Sequence, residues 1–466
     1  MLFPSEIFLF LFLPIVTLLY YGVFIRNQKA KNLFLFVASL LFYAYGEPVY
    51  VFLMLFMIFL HYGFGLLVNH STNWKKGILF LMVIVDVCLL GYFKYADFLI
   101  SIVNGIFSTS FPLLHVALPI GISFFTFQAI SYVVDVYRGK GEVQTNFLNV
   151  GLYIALFPQL IAGPIVRYET IAYEIEHRKE NLTDFSQGVT RFIVGLAKKV
   201  LLANQFAIVA DAVFNGFRDA SPTSLSLFWL GAISYTLQIY FDFWGYSDMA
   251  IGLGRMFGFH FLENFKNPYI ATSISDFWRR WHISLQTWFR DYVYIPLGGS
   301  RVQSKIRLFF NIFVVWFLTG IWHGANWTFI TWGMMYFVLL MIEKNTSILN
   351  KLKNYSYLYT MFFVIIGWVI FRSETLSLAF SYILGLFGIG AQGIIDPIFI
   401  QYLRQYAIYY VAGITYCLPM MSNIDRMCKD HFIYDALYIA FILSIFGLSI
   451  VYIFNNAYNP FIYFNF

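Results

Sequence analysis

The chain has 466 residues, 60% of them hydrophobic and 12% charged, with mean hydropathy +0.70 and a formal charge of +6. A soluble domain carries about 25% charged residues, so an ordinary globular enzyme is excluded and an integral membrane protein indicated. Long unbroken apolar runs exclude an outer-membrane barrel, whose strands alternate apolar and polar side chains, and the basic excess fits cytoplasmic loops rather than nucleic-acid binding.

In chain order, apolar segments recur near 7–25, 33–46, 50–68, 78–103, 115–135, 148–163, 187–213, 224–257, 306–322, 327–342, 358–371, 400–420 and 433–454. Some are too short to cross alone, so the pattern predicts an all-α protein of roughly 11 crossings plus re-entrant pieces. Ile7 to Ile25 has neither a basic n-region nor a small-residue cleavage site, and is expected to stay as the first span. Arg26, Lys29 and Lys31 follow it, which places that loop in the cytoplasm and the N-terminus outside. Lys75 and Lys76 return to the same side after a hairpin with Glu47 and Pro48 at its tip, and Arg138, Lys140, Arg178, Lys179, Lys198 and Lys199 fit cytoplasmic margins as well. Asp86 and Lys94 fall within one long apolar run, where they are expected to pair with each other or with neighbours. Cys88, Cys417 and Cys428 lack metal-ligand spacing, and no metal site is expected. With no low-complexity linker and no repeat, 1–466 reads as one domain.

Residues 273–301 carry the densest functional signal. Arg279, Arg280 and Arg290 prevent this stretch from spanning, while Trp278, Trp281, Leu285, Trp288 and Tyr292 recur at helical spacing. Ser273 or Ser275 caps the start, and Pro296 with Gly298 and Gly299 ends it. The expectation is one amphipathic helix at the cytoplasmic interface, with His282 at its middle, a turn from Trp278 and Gln286. Two readings stay open. The arginines face lipid phosphate, or the helix walls the mouth of a cavity. In the second, Arg279, Arg280, Arg290, Arg301, Lys305 and Arg307 form a basic rim suited to the phosphates of coenzyme A.

His323 follows. It lies in the turn Trp322-His323-Gly324-Ala325-Asn326 between two apolar runs, sixteen residues after Arg307. At ~1.5 Å per residue that is roughly 24 Å, short of a ~30 Å hydrocarbon core. An ionisable group at that depth is either a packed turn histidine or a functional one.

These segments, read together, resemble the membrane-bound O-acyltransferase family, and within it the bacterial polysaccharide O-acetyltransferases of alginate and peptidoglycan. The motifs are PIGISFFTFQAISYVVDVYRG at 119–139, FPQLIAGPIVRY at 157–168, YFDFWGYSDMAIGLGRMFG at 240–258, WRRWHISLQTWFRDYVYIPLGGSR at 278–301 and TGIWHGANW at 319–327. Trp244 departs from the pattern, where a small residue such as serine is expected. The resemblance implies a ring of helices around a central channel, in the bacterial inner membrane, with the acyl donor entering from the cytoplasm and the acceptor from outside. It implies that His323 is the catalytic histidine and His282 the second characteristic one. It implies acetyl-CoA as donor, with Trp278, Gln286, Arg279, Arg280, Arg290 and Arg301 toward it, and an extracytoplasmic SGNH-type partner protein. The developing oxyanion needs hydrogen-bond donors, for which Asn326 and Trp322 are candidates.

The last residues, 459–466, are aromatic with a single phenol, Tyr463. They read as an interfacial anchor or, by resemblance to related acyl-transfer systems, as a tail whose tyrosine carries the acyl group. A phenol of pKa ~10 is a far better leaving group than a sugar alcohol, so an acetyl-tyrosine keeps much of the thioester's transfer potential. D-alanyl transfer to teichoic acids is the alternative within the family. A transporter or channel is the alternative outside it, although no matching halves are seen. The compact length points to the peptidoglycan type of acceptor over the alginate type.

Overall fold

The computed structural model describes residues 1–23, 27–419, 432–455, 458, 460 and 462. Tyr463 and the rest of the tail beyond it therefore lie outside the described residues. Among the described residues the regular structure is helical, and six helices are long and apolar enough to cross a membrane. This is a multi-pass membrane protein. The chain divides into two compact units, Met1–Phe192 with Tyr246–Leu262, and Ile193–Gly245 with Glu263–Phe466.

In the first unit, the helix Gln28–Gly46 begins where the Asn27 side chain accepts the amides of Lys29 and Ala30. The helices Tyr50–His70, Lys75–Leu90 and Ile122–Tyr137 follow. The two ionisable groups of the long apolar run pair with neighbours rather than with each other. Asp86 Oδ2 lies 3.1 Å from His61 Nε2, and Lys94 Nζ lies 3.3 Å from Ser123 Oγ. Two of the basic margins meet in one network: Lys31 Nζ donates to Glu180 at 2.9 Å, and Arg178 Nη1 donates to Asn32 Oδ1 at 2.6 Å. Tyr20, which donates to Glu180 and accepts from Arg178, links them. The helix Tyr168–His177 was not foreseen, because its polar sequence carries no span signal.

In the second unit, an aromatic core gathers around fully buried Trp332, Trp368, Tyr336 and Tyr240. The helices Lys305–His323 and Trp327–Asn345 form a hairpin that packs backbone to backbone. A Cβ on Gly320 would lie 2.6 Å from Phe329 O, and one on Gly333 2.5 Å from Trp316 O. Side chains at these two positions would drive the hairpin apart. The helix Phe432–Asn455 instead turns Leu437, Ile439 and Leu443 outward, as a helix facing lipid does. The short helix Leu376–Leu386 adds an apolar piece that the hydropathy reading left out.

Candidate active site

The hairpin fixes His323. Its first helix has 19 residues, roughly 28 Å at helical rise, and His323 is the last of them. Asn326 restarts the chain as the cap of the second helix, its side chain accepting the Thr328 amide. The imidazole is buried, edge-on to three rings. Trp322 lies at 4.8 Å between centroids, Trp332 at 5.0 Å and Phe371 at 5.1 Å. These three rings line the imidazole with aromatic surface.

His282 sits elsewhere than expected. The single amphipathic helix is two, Ile274–Arg280 and Ile283–Phe289, and His282 is the break between them, with φ 45° and ψ 54° in the left-handed region. Neither Pro nor Gly marks the break. The cause is the loop 264–266, which takes the hydrogen bonds that would have continued the helix. Lys266 N donates to Arg280 O, and Ile283 N donates to Asn264 O. Asn264 Oδ1 accepts the Ser284 amide at 3.2 Å and the Ser284 hydroxyl at 2.9 Å.

That arrangement also sets the tautomer of His282. Asn264 Oδ1 is an acceptor because a backbone amide donates to it, so His282 Nδ1–H, 3.1 Å away, is the donor. Nε2 is then the unprotonated nitrogen, and it is buried with no hydrogen-bond partner. Burial pushes the pKa of this imidazole down to about 3, holding it neutral. Phe243 packs edge-on at 4.5 Å, and Trp322, which also touches His323, lies 6.0 Å away. One indole thus contacts both histidines.

A cavity of about 610 Å³ opens beside His282. Trp278, Arg279, Gln286, Arg290, Trp316 and Thr319 are among its lining residues. Four of the six residues expected toward the donor therefore share one space with His282. The other two do not line it. Arg280 turns to Asp276, one helical turn back, at 2.9 Å, and Arg301 lies outside the lining. Two residues that sequence reasoning missed do line it, Glu343 and Lys344, from the last turn of the helix Trp327–Asn345. The Glu343 carboxylate accepts the amides of Ile274 and Ser275 at 2.7 and 3.1 Å, capping the first short helix with a negative charge. The lining reaches Thr319, one turn before His323, but not His323 itself. Trp332 bridges the gap, in ring contact with both Trp278 and His323. Asn326 is committed elsewhere, since its amide nitrogen donates to Glu374 O at 2.9 Å. Among the described residues no group of three or more side chains is arranged to hold a metal.

A helical membrane protein with two buried imidazoles on one indole, beside a basic-rimmed cavity, has the parts of a membrane acyltransferase. The chain matches the membrane-bound O-acyltransferase (MBOAT) family over residues 141–384, and it belongs to that family. A probable alginate O-acetylase of Pseudomonas syringae pv. tomato is 47% identical over 389 residues, 81% of this chain and 74% of that protein. A peptidoglycan O-acetyltransferase of Helicobacter pylori is 36% identical over 429 residues, 84% of this chain and 80% of that one. A teichoic acid D-alanyltransferase of Bacillus subtilis is more distant, 29% identical over 230 residues, 47% and 58% of the two chains. The protein is an acyltransferase of the bacterial polysaccharide O-acetylation branch.

Proposed function

We propose that the chain takes acetyl from acetyl-CoA at the cytoplasmic face of the inner membrane and passes it toward an extracytoplasmic polysaccharide. The N-terminus then lies outside. The observation that carries this reading is the cavity that brings Arg279, Arg290 and Lys344 beside the neutral imidazole of His282. Its volume suits a pantetheine arm, and its cations suit phosphate. Acetyl-CoA binds with its phosphates on that rim and its thioester toward Trp278 and Thr319. The thioester reaches His323 only when Trp332 and Trp278 shift, so the two rings act as a gate that keeps water from it.

The chemistry is a two-step relay. A neutral His323 takes the proton of the Tyr463 phenol, and the phenolate oxygen attacks the thioester carbonyl. The C–S bond breaks, the imidazolium returns the proton to the departing thiolate, and an acetyl-tyrosine ester remains. A sugar hydroxyl then attacks that ester with the help of an extracytoplasmic SGNH-type partner, regenerating the phenol. His282 Nε2 serves as an acceptor for a group in the cavity, and Trp322 or Asn326 supplies the oxyanion donor. The higher identity to the alginate O-acetylase favours an acidic exopolysaccharide acceptor over peptidoglycan, against what chain length suggests. D-alanyl transfer is disfavoured by the lower identity and coverage of the teichoic acid relative.

The test uses purified protein and acetyl-labelled CoA. Alkali-labile acetyl mapped to Tyr463 by mass spectrometry, and lost in His323→Ala, supports the relay. Label absent from Tyr463, or full glycan acetylation by Tyr463→Phe, rules it out. Base-released acetate from fractionated glycans, with and without this protein, identifies the acceptor.

A further inference from the structure

Near its end the chain is held by its backbone. Lys199 and Asp242 are each 2% exposed in their side chains and pair at 2.6 Å between Nζ and Oδ1. Lys199 lies in the π-helical turn Lys198–Ala203, and Asp242 in the helix Leu225–Met256. The pair does not close on itself. Lys199 Nζ also donates to the carbonyl oxygen of Pro460, and Asp242 Oδ2 accepts the amide of Ile462 at 2.9 Å. The Ile462 side chain is buried in the aromatic core of the same unit. Upstream, the Tyr458 hydroxyl donates to Asp211, which Arg372 Nη2 also reaches at 2.7 Å.

A buried ion pair is a costly way to join two helices, because its desolvation offsets most of its attraction. This one has a second task, since each ion supplies one hydrogen bond to the backbone of the terminal segment. Backbone recognition is indifferent to side-chain identity and fixes the path of the chain. A carbonyl and an amide two residues apart meet a cation and an anion in matching order, and the Ile462 side chain, buried in the core beside them, sets which residues these are. The π turn makes this possible by widening the helix locally. It sends two consecutive lysines to the same partner helix, Lys199 to Asp242 and Lys198 to the face of Trp244, 3.1 Å from its ring centroid. Trp244, where the resemblance leads one to expect a small residue, stacks on Tyr240 at 4.9 Å and so braces this corner.

We propose that the Lys199–Asp242 pair is a clamp that holds the backbone of the C-terminal segment in the register the buried Ile462 side chain sets, making both residues positioning residues for the side chain that follows Ile462. The catalytic meaning of the clamp rests on the reading of Tyr463 as the acetyl carrier; the clamping itself does not.

The experiment is hydrogen–deuterium exchange of the terminal segment in detergent-solubilised full-length protein, alongside acetyl mapping on Tyr463. Asp242→Asn weakens the clamp but also leaves a buried lysine without its counter-ion, and so risks the fold. Ile462→Pro removes the amide that Asp242 accepts and leaves the ion pair intact, and Ile462→Ala, which keeps the amide, accounts for the buried side chain that both variants replace. In Asp242→Asn and Ile462→Pro the amides that remain in the terminal segment exchange about tenfold faster, the worth of one hydrogen bond and more than in Ile462→Ala, and acetyl on Tyr463 falls in parallel. Tyr463→Phe keeps the slow exchange of the unaltered protein. Unchanged exchange in Ile462→Pro overturns the clamp. Faster exchange in Ile462→Pro together with full glycan acetylation by Tyr463→Phe leaves the clamp standing and removes the carrier.

Discussion

His61 in the first unit and His282 in the second are both buried imidazoles among helices, and they differ in what their nitrogens meet. His61 Nδ1 lies 2.8 Å from Met57 O, and its Nε2 lies 3.1 Å from Asp86 Oδ2. Both positions are filled. His282 has Nδ1 bonded to Asn264, while Nε2 is buried without a hydrogen-bond partner on the edge of a cavity. Of the two imidazoles, His282 alone keeps a ring nitrogen without a protein partner, and it lines a cavity that a ligand group can enter. Placement within an apolar run does not separate the two histidines. The completeness of the bonding does.

The sharpest way to break this comparison is through the groups assigned to chemistry. His323→Ala is expected to lower acetyl transfer about a thousandfold, the range for losing a positioned general base, with the protein still monodisperse in detergent. Retained transfer would reduce His323 to a packed turn histidine. His282→Ala is expected to cost about a hundredfold, at the lower end of the same range. If it costs no more than His61→Ala, the distinction drawn from bonding is wrong. Arg279→Ala comes next. It should raise the KM for acetyl-CoA about tenfold, as expected for one charge-assisted hydrogen bond, and leave kcat nearly unchanged.

Much of this was readable in the sequence, and what was not has a common cause. The hairpin around His323 was legible because two apolar runs and the polar turn between them are all local. The basic rim was half legible. Helical spacing placed Trp278 and Gln286 near His282, yet could not tell that Arg280 turns to Asp276, since the i to i+4 pair and the open rim use the same residue types. The break at His282 left no trace within 273–301. It is made by Asn264, whose backbone and side chain replace the missing helix bonds from outside the segment. Glu343 and Lys344 were missed for the same reason, because only tertiary packing brings the end of one helix to the start of another. The pairing of Asp86 with His61 spans 25 residues and two helices, and no local pattern announces it.

Acidity gives a milder test of the His282 environment. Its pKa in the folded protein is pushed below the ordinary value near 6.5 to about 3. In the unfolded chain the imidazole takes up a proton below pH ~6.5, while in the folded state it does not until near pH 3. Stability is therefore full above pH 7 and falls as the pH drops through that window, by about 2 kcal/mol between pH 7 and 5 from this group alone. Thermal unfolding in detergent should show the slope, and His282→Gln, which has nothing to protonate, should flatten it. An unchanged slope would mean that the site is wetter than its packing indicates.

The smallest effect on rate is expected from His61, and it is the most discriminating because it runs against the habit of assigning function to every intramembrane histidine. His61→Ala leaves Asp86 buried without its nitrogen partner, and leaving a buried polar group unsatisfied costs about 1–3 kcal/mol. The melting temperature in detergent should drop, while the rate per folded molecule stays within about twofold, because both ring nitrogens are already engaged and neither is left to accept a substrate proton. His61→Asn, which can still meet Asp86 through its amide, should recover part of the stability. A rate loss in His61→Ala that exceeds its loss of folded protein would place a proton path through the first unit, and filled hydrogen bonds would no longer mark a purely structural histidine.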